Sequence, residues 1–220
     1  MQAQDNQHHE EALSIMQTTL YLTRHGQTEW NSKKQMQGHL DSPLTDYGMR
    51  QAEWLKERLE NVHFDAIYSS SSPRAFNTAR IISGNRPVPV STIDSLKEIN
   101  MGLWEGQQID HIQQQYPIPY DHFFNEPHLY RPTGHGESYS QLLERTIPAL
   151  NHILAEHKGQ QVLIVTHRIT LKAIMSYFLG KQLHEIGGMP DIHPTALCKI
   201  IMNDDVPKVE LYGDTSHYRE

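Results

Sequence analysis

Two histidines, His25 in LTRHGQTEWN (Leu22 to Asn31) and His167 in LIVTHRITLK (Leu163 to Lys172), each close an apolar, strand-like run. Strand-end imidazoles of this kind suit phosphoryl chemistry. Arg24 is a fixed cation beside His25, whose neutral ring is a nitrogen nucleophile, and Gly26 is expected to let the backbone approach a ligand closely. A second cation, Arg74 in SSSPRAFNTA, and a carboxyl, Glu98 in LKEINMGLWEG, supply the remaining parts. A phosphomonoester resists attack because its charged oxygens repel a nucleophile and its alkoxide leaves poorly. Fixed cations and an acid are what the reaction needs.

The elements that position these groups can be read from periodicity. Leu20 to Thr23 alternates and reads as a first strand leading into Arg-His-Gly. Thr45 caps a helix in which Met49, Ala52, Leu55, Leu59 and Val62 recur at helical spacing. Asp65 to Ser69 is a short strand, and Ser72-Pro73 opens a helix that carries Arg74 in its first turn, where unpaired backbone donors favour an anion. Ser138 and Gln141 have capping-box spacing before a helix to about Lys158, in which Pro148 predicts a kink. Gln161 to Thr166 is the strand before His167, Leu171, Ile174, Met175 and Phe178 face the core from a helix, and Ala196 to Met202 and Lys208 to Tyr212 are closing strands. Strands alternating with helices predict an α/β fold, a three-layer α/β/α sandwich with a mostly parallel central sheet and ligands at the carboxyl ends of its strands. Residues 107–137 contain YPIPYDHFFNEPHLYRPTGHG, dense in proline and aromatics and without regular periodicity. This stretch is either a cap over the site or a packed surface loop.

A chain of 220 residues fits one domain, assigned to 16–220, with a single core. Residues 1–15, ahead of Met16, read as a mobile extension whose His8 and His9 are solvated. With 19 basic and 26 acidic residues the formal charge is -7, which argues against nucleic acid or an anionic membrane as a partner. The single cysteine, Cys198, lies in a strand-like segment and reads as core in a reducing compartment. No apolar run is long enough to span a bilayer and the first residues are too polar for a secretory signal, so the cytoplasm is expected. HEIGG (His184 to Gly188) lacks the second histidine of a zinc-protease helix, GHGESYS fails the G-x-S-x-G pattern, and no nucleotide-binding glycine loop occurs. No metal and no cofactor are expected.

LTRHGQTEWN, QGHLDSPLTDYGMRQA, SSPRAFNTA, EINMGLWEG and VTHR, in this order from Leu20 to about Tyr218, resemble the histidine phosphatase superfamily in its phosphoglycerate mutase-like branch. The WEG element, DHFFNEPHLY and GDTSHY look most like bacterial broad-specificity phosphatases. The resemblance implies a phosphoglycerate mutase-like fold and a metal-independent phosphomonoesterase acting on a small phosphorylated substrate. It implies that His25 becomes phosphohistidine and that Arg24, Arg74 and His167 surround the phosphoryl oxygens. Asn31 adds a neutral donor, and Gln37 and Gly38 match a loop lining the phosphate pocket; these three either bind phosphate or only shape the loop. Glu98, rather than Glu105, matches the proton donor. The alternatives are a bisphosphoglycerate-dependent phosphoglycerate mutase and a non-catalytic phospholigand-binding protein.

Neighbouring arginines are expected to keep His25 neutral, while His167 is expected to charge when phosphate binds. An ordinary glutamate loses its proton near pH ~4.3, so either burial and bound phosphate help Glu98 keep it or activity on alkyl esters peaks in acid. Where the family commonly has glycine after the second histidine, this chain has Arg168. That side chain either recognises a second anionic group or turns outward.

Overall fold

Leu20 and Leu22 face one way from strand β1 (Gln17–Arg24) and Tyr21 faces the other, as the two-residue period of a strand requires. β4 (Gln161–Thr166) repeats this division, with Val162 and Ile164 on the first face and Leu163 and Val165 on the second. The computed structural model describes residues 17–203 and 206–219. The expectations for residues 1–15, His8 and His9 included, lie outside them. β1 and β4 are central in a six-stranded sheet of order β3-β2-β4-β1-β5-β6, with β2 at Ala66–Ser70, β3 at Val90–Ile93, β5 at Leu197–Asn203 and β6 at Val206–Asp214. The β1–β4, β2–β4 and β2–β3 pairs are parallel, and β5 and β6 close the sheet antiparallel. A short helix, α1 (Glu29–Ser32), follows β1. Helices α2 (Asp46–Arg58) and α3 (Pro73–Ser83) cover the second face. The first face is covered by α6 (Tyr139–Glu156) and α7 (Arg168–Phe178), with α4 (Ile109–Gln115) and α5 (Pro117–Asn125) preceding them in the chain. This is the expected three-layer α/β/α sandwich. Burial of each leucine-sized side chain contributes roughly 1.5–3 kcal/mol, more than an exposed ion pair at about 1 kcal/mol or less, so apolar packing holds the layers. Cys198 is buried in β5. Among the described residues no helix is long and apolar enough to cross a membrane.

The expected capping box at Ser138 and Gln141 is present, and α6 runs unbroken through Pro148. Three expectations change. The proline-rich stretch is helical, because Tyr116 stands at the N-cap of α5 and Pro117 and Pro119 occupy its first turn, where a backbone N–H would have no helical partner. Its Phe123 is buried against Trp104 and Tyr130, with ring centroids 5.6 and 4.9 Å away, so much of this aromatic set is core. In α2, Met49 is exposed and Val62 lies beyond the helix end; the inner face is Gly48, Gln51, Ala52 and Leu55. The cause is a backbone-to-backbone contact.

A Cβ on Gly48 would lie 2.0 Å from the Gln27 carbonyl oxygen, and one on Gly26 would lie 2.4 Å from the Gly48 carbonyl oxygen. Gly26 therefore makes room for α2. Thr45, whose hydroxyl caps Gly48 N–H at 2.9 Å, also reaches the Gln27 side chain at 2.9 Å, so the loop after β1 and the start of α2 are one rigid unit. Replacing Gly48 by alanine is expected to lower stability by about 1–3 kcal/mol, read as a lower urea midpoint at unchanged slope. A Gly48→Ala protein as stable as the parent would mean that this contact yields without cost.

Candidate active site

Parallel pairing aligns Arg24 of β1 with Thr166 of β4, and the His25 N–H donates to the Thr166 carbonyl at 2.9 Å. The next residues, His25 and His167, therefore meet at the carboxyl edge of the sheet with ring centroids 5.2 Å apart. The His25 side chain is 3% exposed, and its Nδ1 lies 2.7 Å from the Gly26 carbonyl oxygen. A carbonyl only accepts, so Nδ1 carries the proton and Nε2 keeps its lone pair. Arg74 Nε donates to that lone pair at 3.3 Å. Burial, then Arg74 and Arg24, hold the His25 imidazole well below its usual range, so it is neutral at neutral pH as expected.

Arg74 is 1% exposed. Its guanidinium donates to the carbonyls of Gly38 and Leu40, both at 2.7 Å, and to Asp41 Oδ1 at 2.9 Å. The anion at the start of α3 is thus the chain's own Asp41, which also accepts from Arg74 N–H at 3.4 Å; Ser72 makes no capping bond there. Arg24 is less engaged. Its Nη1 donates to the Ile192 carbonyl at 3.0 Å, while the buried Nε has no partner among the described residues. Burial, then Arg168, lowers the Arg24 guanidinium to about 10, which leaves it charged at neutral pH.

The Glu98 carboxylate, 5% exposed, accepts from the N–H groups of Ile99, Ile169 and Thr170 and from the Thr170 hydroxyl, all at 3.0 to 3.1 Å. Three of these four donors, two of them backbone N–H groups, belong to the first turn of α7, whose partial positive charge suits a carboxylate. Glu105 braces the loop around Gly38. It accepts from the backbone N–H groups of His39, Leu40 and Met101, and its Oε1 would lie 2.1 Å from a Cβ on Gly38, whose φ is +55°. Arg145 ties down the backbone around Glu98, donating to the carbonyls of Ser95, Lys97 and Glu98 while paired with Glu137.

These groups surround a cavity of about 320 Å³. Arg24, His25, Arg74, Glu98, Asn31 and Gln37 lie on its wall. The Asn31 Oδ1 accepts from Thr28 N–H and the Gln37 Oε1 from the Ser42 hydroxyl, which leaves both side-chain amides as donors. Two expected residues stand behind the wall. Gly38 orients Arg74 through its carbonyl. His167 is fully buried beside His25, with Nε2 2.8 Å from the Ser70 hydroxyl and Nδ1 without a partner among the described residues. Burial, then Arg74, holds the His167 imidazole well below its usual range. Ile109 and Phe124, from the segment expected as a cap, form part of the apolar wall, and Arg168 is on the wall as well. Sequence reasoning missed Asp41, Asp191 and Arg145. Asp41 falls inside QGHLDSPLT and Asp191 inside an aperiodic loop, so neither carried a signal of its own. Among the described residues no three His, Cys, Asp or Glu side chains gather as a metal site.

The family model of the histidine phosphatase superfamily (branch 1) matches residues 20–215. A curated relative, phosphoserine phosphatase 1 of Hydrogenobacter thermophilus, is 33% identical over 164 residues, 74% of this chain and 77% of the relative. The metal-independent phosphoserine phosphatase of Arabidopsis thaliana is 36% identical over 159 residues, 71% of this chain and 67% of the relative. The solved structure of Bacillus stearothermophilus YhfR superposes with a TM-score of 0.87 at 43% identity, covering 91% of this chain and 98% of that one.

Two buried neutral histidines have a consequence for stability. Each binds a proton more readily once unfolded, so stability rises with pH up to the ordinary histidine value near ~6.5 and is lost as pH falls below it. His217, lowered to about 4 by burial and then Arg58, adds to the same slope. At roughly 1.4 kcal/mol per pH unit for each group, stability is expected to fall steeply between about pH 6.5 and pH 5, and less steeply in His25→Gln. Urea unfolding across that window checks this. Equal stability at both ends would contradict the burial of neutral imidazoles.

Proposed function

We propose that this chain, which belongs to the histidine phosphatase superfamily (branch 1) and is a phosphoric monoester hydrolase, cleaves small phosphate esters through a phosphohistidine on His25, with Glu98 as proton donor and without a metal. The observation that carries the reading is the state of His25: Nδ1–H is tied to the Gly26 carbonyl, and Nε2 holds a lone pair that the buried Arg74 Nε meets at 3.3 Å. The names of the two phosphoserine phosphatases support a phosphomonoester as substrate, and the Arabidopsis name supports a reaction without a metal.

In the first step His25 Nε2 attacks phosphorus as the P–O bond to the leaving group breaks, and Glu98 gives its proton to the departing alkoxide. The N–H of Arg74 Nε passes from the nitrogen lone pair to a phosphoryl oxygen, and Arg24 Nε takes another. The carboxylate formed on Glu98 is the species that its four donors hold. In the second step Glu98 accepts a proton from water, the water oxygen attacks phosphorus, the P–N bond breaks and phosphate leaves with the His25 lone pair restored. Fixed guanidinium charge in a buried site stabilises the spreading phosphoryl charge without reorganisation. His167, one ring behind, braces His25 and offers Nδ1 as a further polar contact.

Phosphate release from a panel of esters tests this. His25→Ala is expected to abolish turnover, and EDTA to leave it unchanged. Glu98→Gln is expected to slow phosphoenzyme hydrolysis for every ester, but in kcat/KM, which reads the first step, to slow alkyl esters by about 10²- to 10⁴-fold and to spare nitrophenyl phosphate, whose leaving group needs no proton. Equal losses in kcat/KM on both ester types would remove Glu98 as the acid. A lasting phosphoenzyme discharged only to phosphoglycerate would indicate a mutase.

A further inference from the structure

Arg168 is the first residue of α7, directly after His167, and its side chain is held in place from several sides. Its backbone lies in a helical first turn, its Nε donates to Asp191 Oδ1 at 2.7 Å, and its guanidinium lies over the Phe124 ring, 5.3 Å from the centroid. An arginine loses rotamer freedom when fixed in this way, and at a half-exposed position the ion pair alone returns little. Among the described residues, neither Nη group has a hydrogen-bond partner. Arg168, Phe124 and Asp191 are all on the wall of the cavity that holds His25.

The surrounding charge points the same way. Arg24 shares the cavity wall with Arg168, which adds to burial in disfavouring the charged form of Arg24, so two like charges stand along the cavity. A phosphoryl group between Arg24 and Arg74 satisfies the floor. It leaves the Arg168 fork unmatched.

We propose that Arg168 is a specificity-determining residue whose two Nη groups bind a carboxylate on the substrate, selecting phosphate esters of short carboxylic acids. This deepens the phosphatase reading and rests on it. The planar fork of Arg168 matches a carboxylate with two parallel N–H···O bonds. A second phosphate dianion fits less well, because Asp191 beside the fork repels the extra charge. Asp191 is a positioning residue, fixing Nε so that the Nη edge faces the cavity. Met36, Met101 and Ile109 supply an apolar wall for the few carbons between the two anionic groups.

The test compares 3-phosphoglycerate with glycerol 3-phosphate, two primary-alcohol esters that differ by a carboxylate in place of a hydroxymethyl group. The full-length protein is expected to favour 3-phosphoglycerate by about tenfold or more in kcat/KM, the scale of one charge-assisted bidentate contact. Arg168→Ala is expected to bring the ratio near one, and Arg168→Lys to leave it in between, because the charge remains without the fork. A calorimetric titration of both esters into His25→Ala protein reads the same preference without turnover, so loss of the phosphatase reading and loss of this inference give separate results. An unchanged ratio in Arg168→Ala, in turnover or in binding, would overturn the assignment. So would a stronger preference for glycerol 1,3-bisphosphate than for 3-phosphoglycerate.

Discussion

The parallel pairing of β1 with β4 is the constraint on which the site depends. Its register brings Arg24 beside Thr166, so the chain leaves two adjacent strands at the same edge and two histidines emerge against each other. Both strands are central in the sheet and packed on both faces, so a shift of one residue would turn every buried side chain to the opposite face. The position of the nucleophile is therefore fixed by the whole core. Loop contacts refine it.

Bringing these side chains together creates an electrostatic conflict. Two guanidiniums and two imidazoles are buried within one small region, and the conflict resolves with the imidazoles neutral and the guanidiniums charged. Carbonyls of the loop at Gly38 and Leu40, with Asp41, surround Arg74, so that loop is held in place by the cation it serves. Arg24 keeps a buried donor in reserve. A region of fixed positive charge, one lone pair and one carboxyl held by the next helix is a site organised for an anion that transfers its central atom.

Much of this was legible in the sequence. Alternation at Leu20 to Thr23 and the apolar run at Gln161 to Thr166 located the two central strands, and the Ser-Pro helix start located Arg74. β3, α1 and α4 escaped because they are short and lack a periodic apolar face, and α5 because its prolines imitate a loop while satisfying the geometry of a helix start. The placing of His167 behind His25 depends on strand order, which no motif states. Asp41 and Asp191 are single acids in loops, meaningful only once Arg74 and Arg168 are seen beside them. Periodicity reports what a segment packs against; it carries no information on which distant charge completes a pair.

The most direct test of this mechanism is to identify the phosphorylated atom. Enzyme mixed with a fast-leaving aryl phosphate, quenched in alkali within the first turnover and examined by phosphorus NMR and peptide mass spectrometry, distinguishes the two imidazole nitrogens of His25. Phosphate is expected on Nε2, because Nδ1 commits its proton to the Gly26 carbonyl. Phosphate on Nδ1, on another residue, or on none during steady turnover would contradict it.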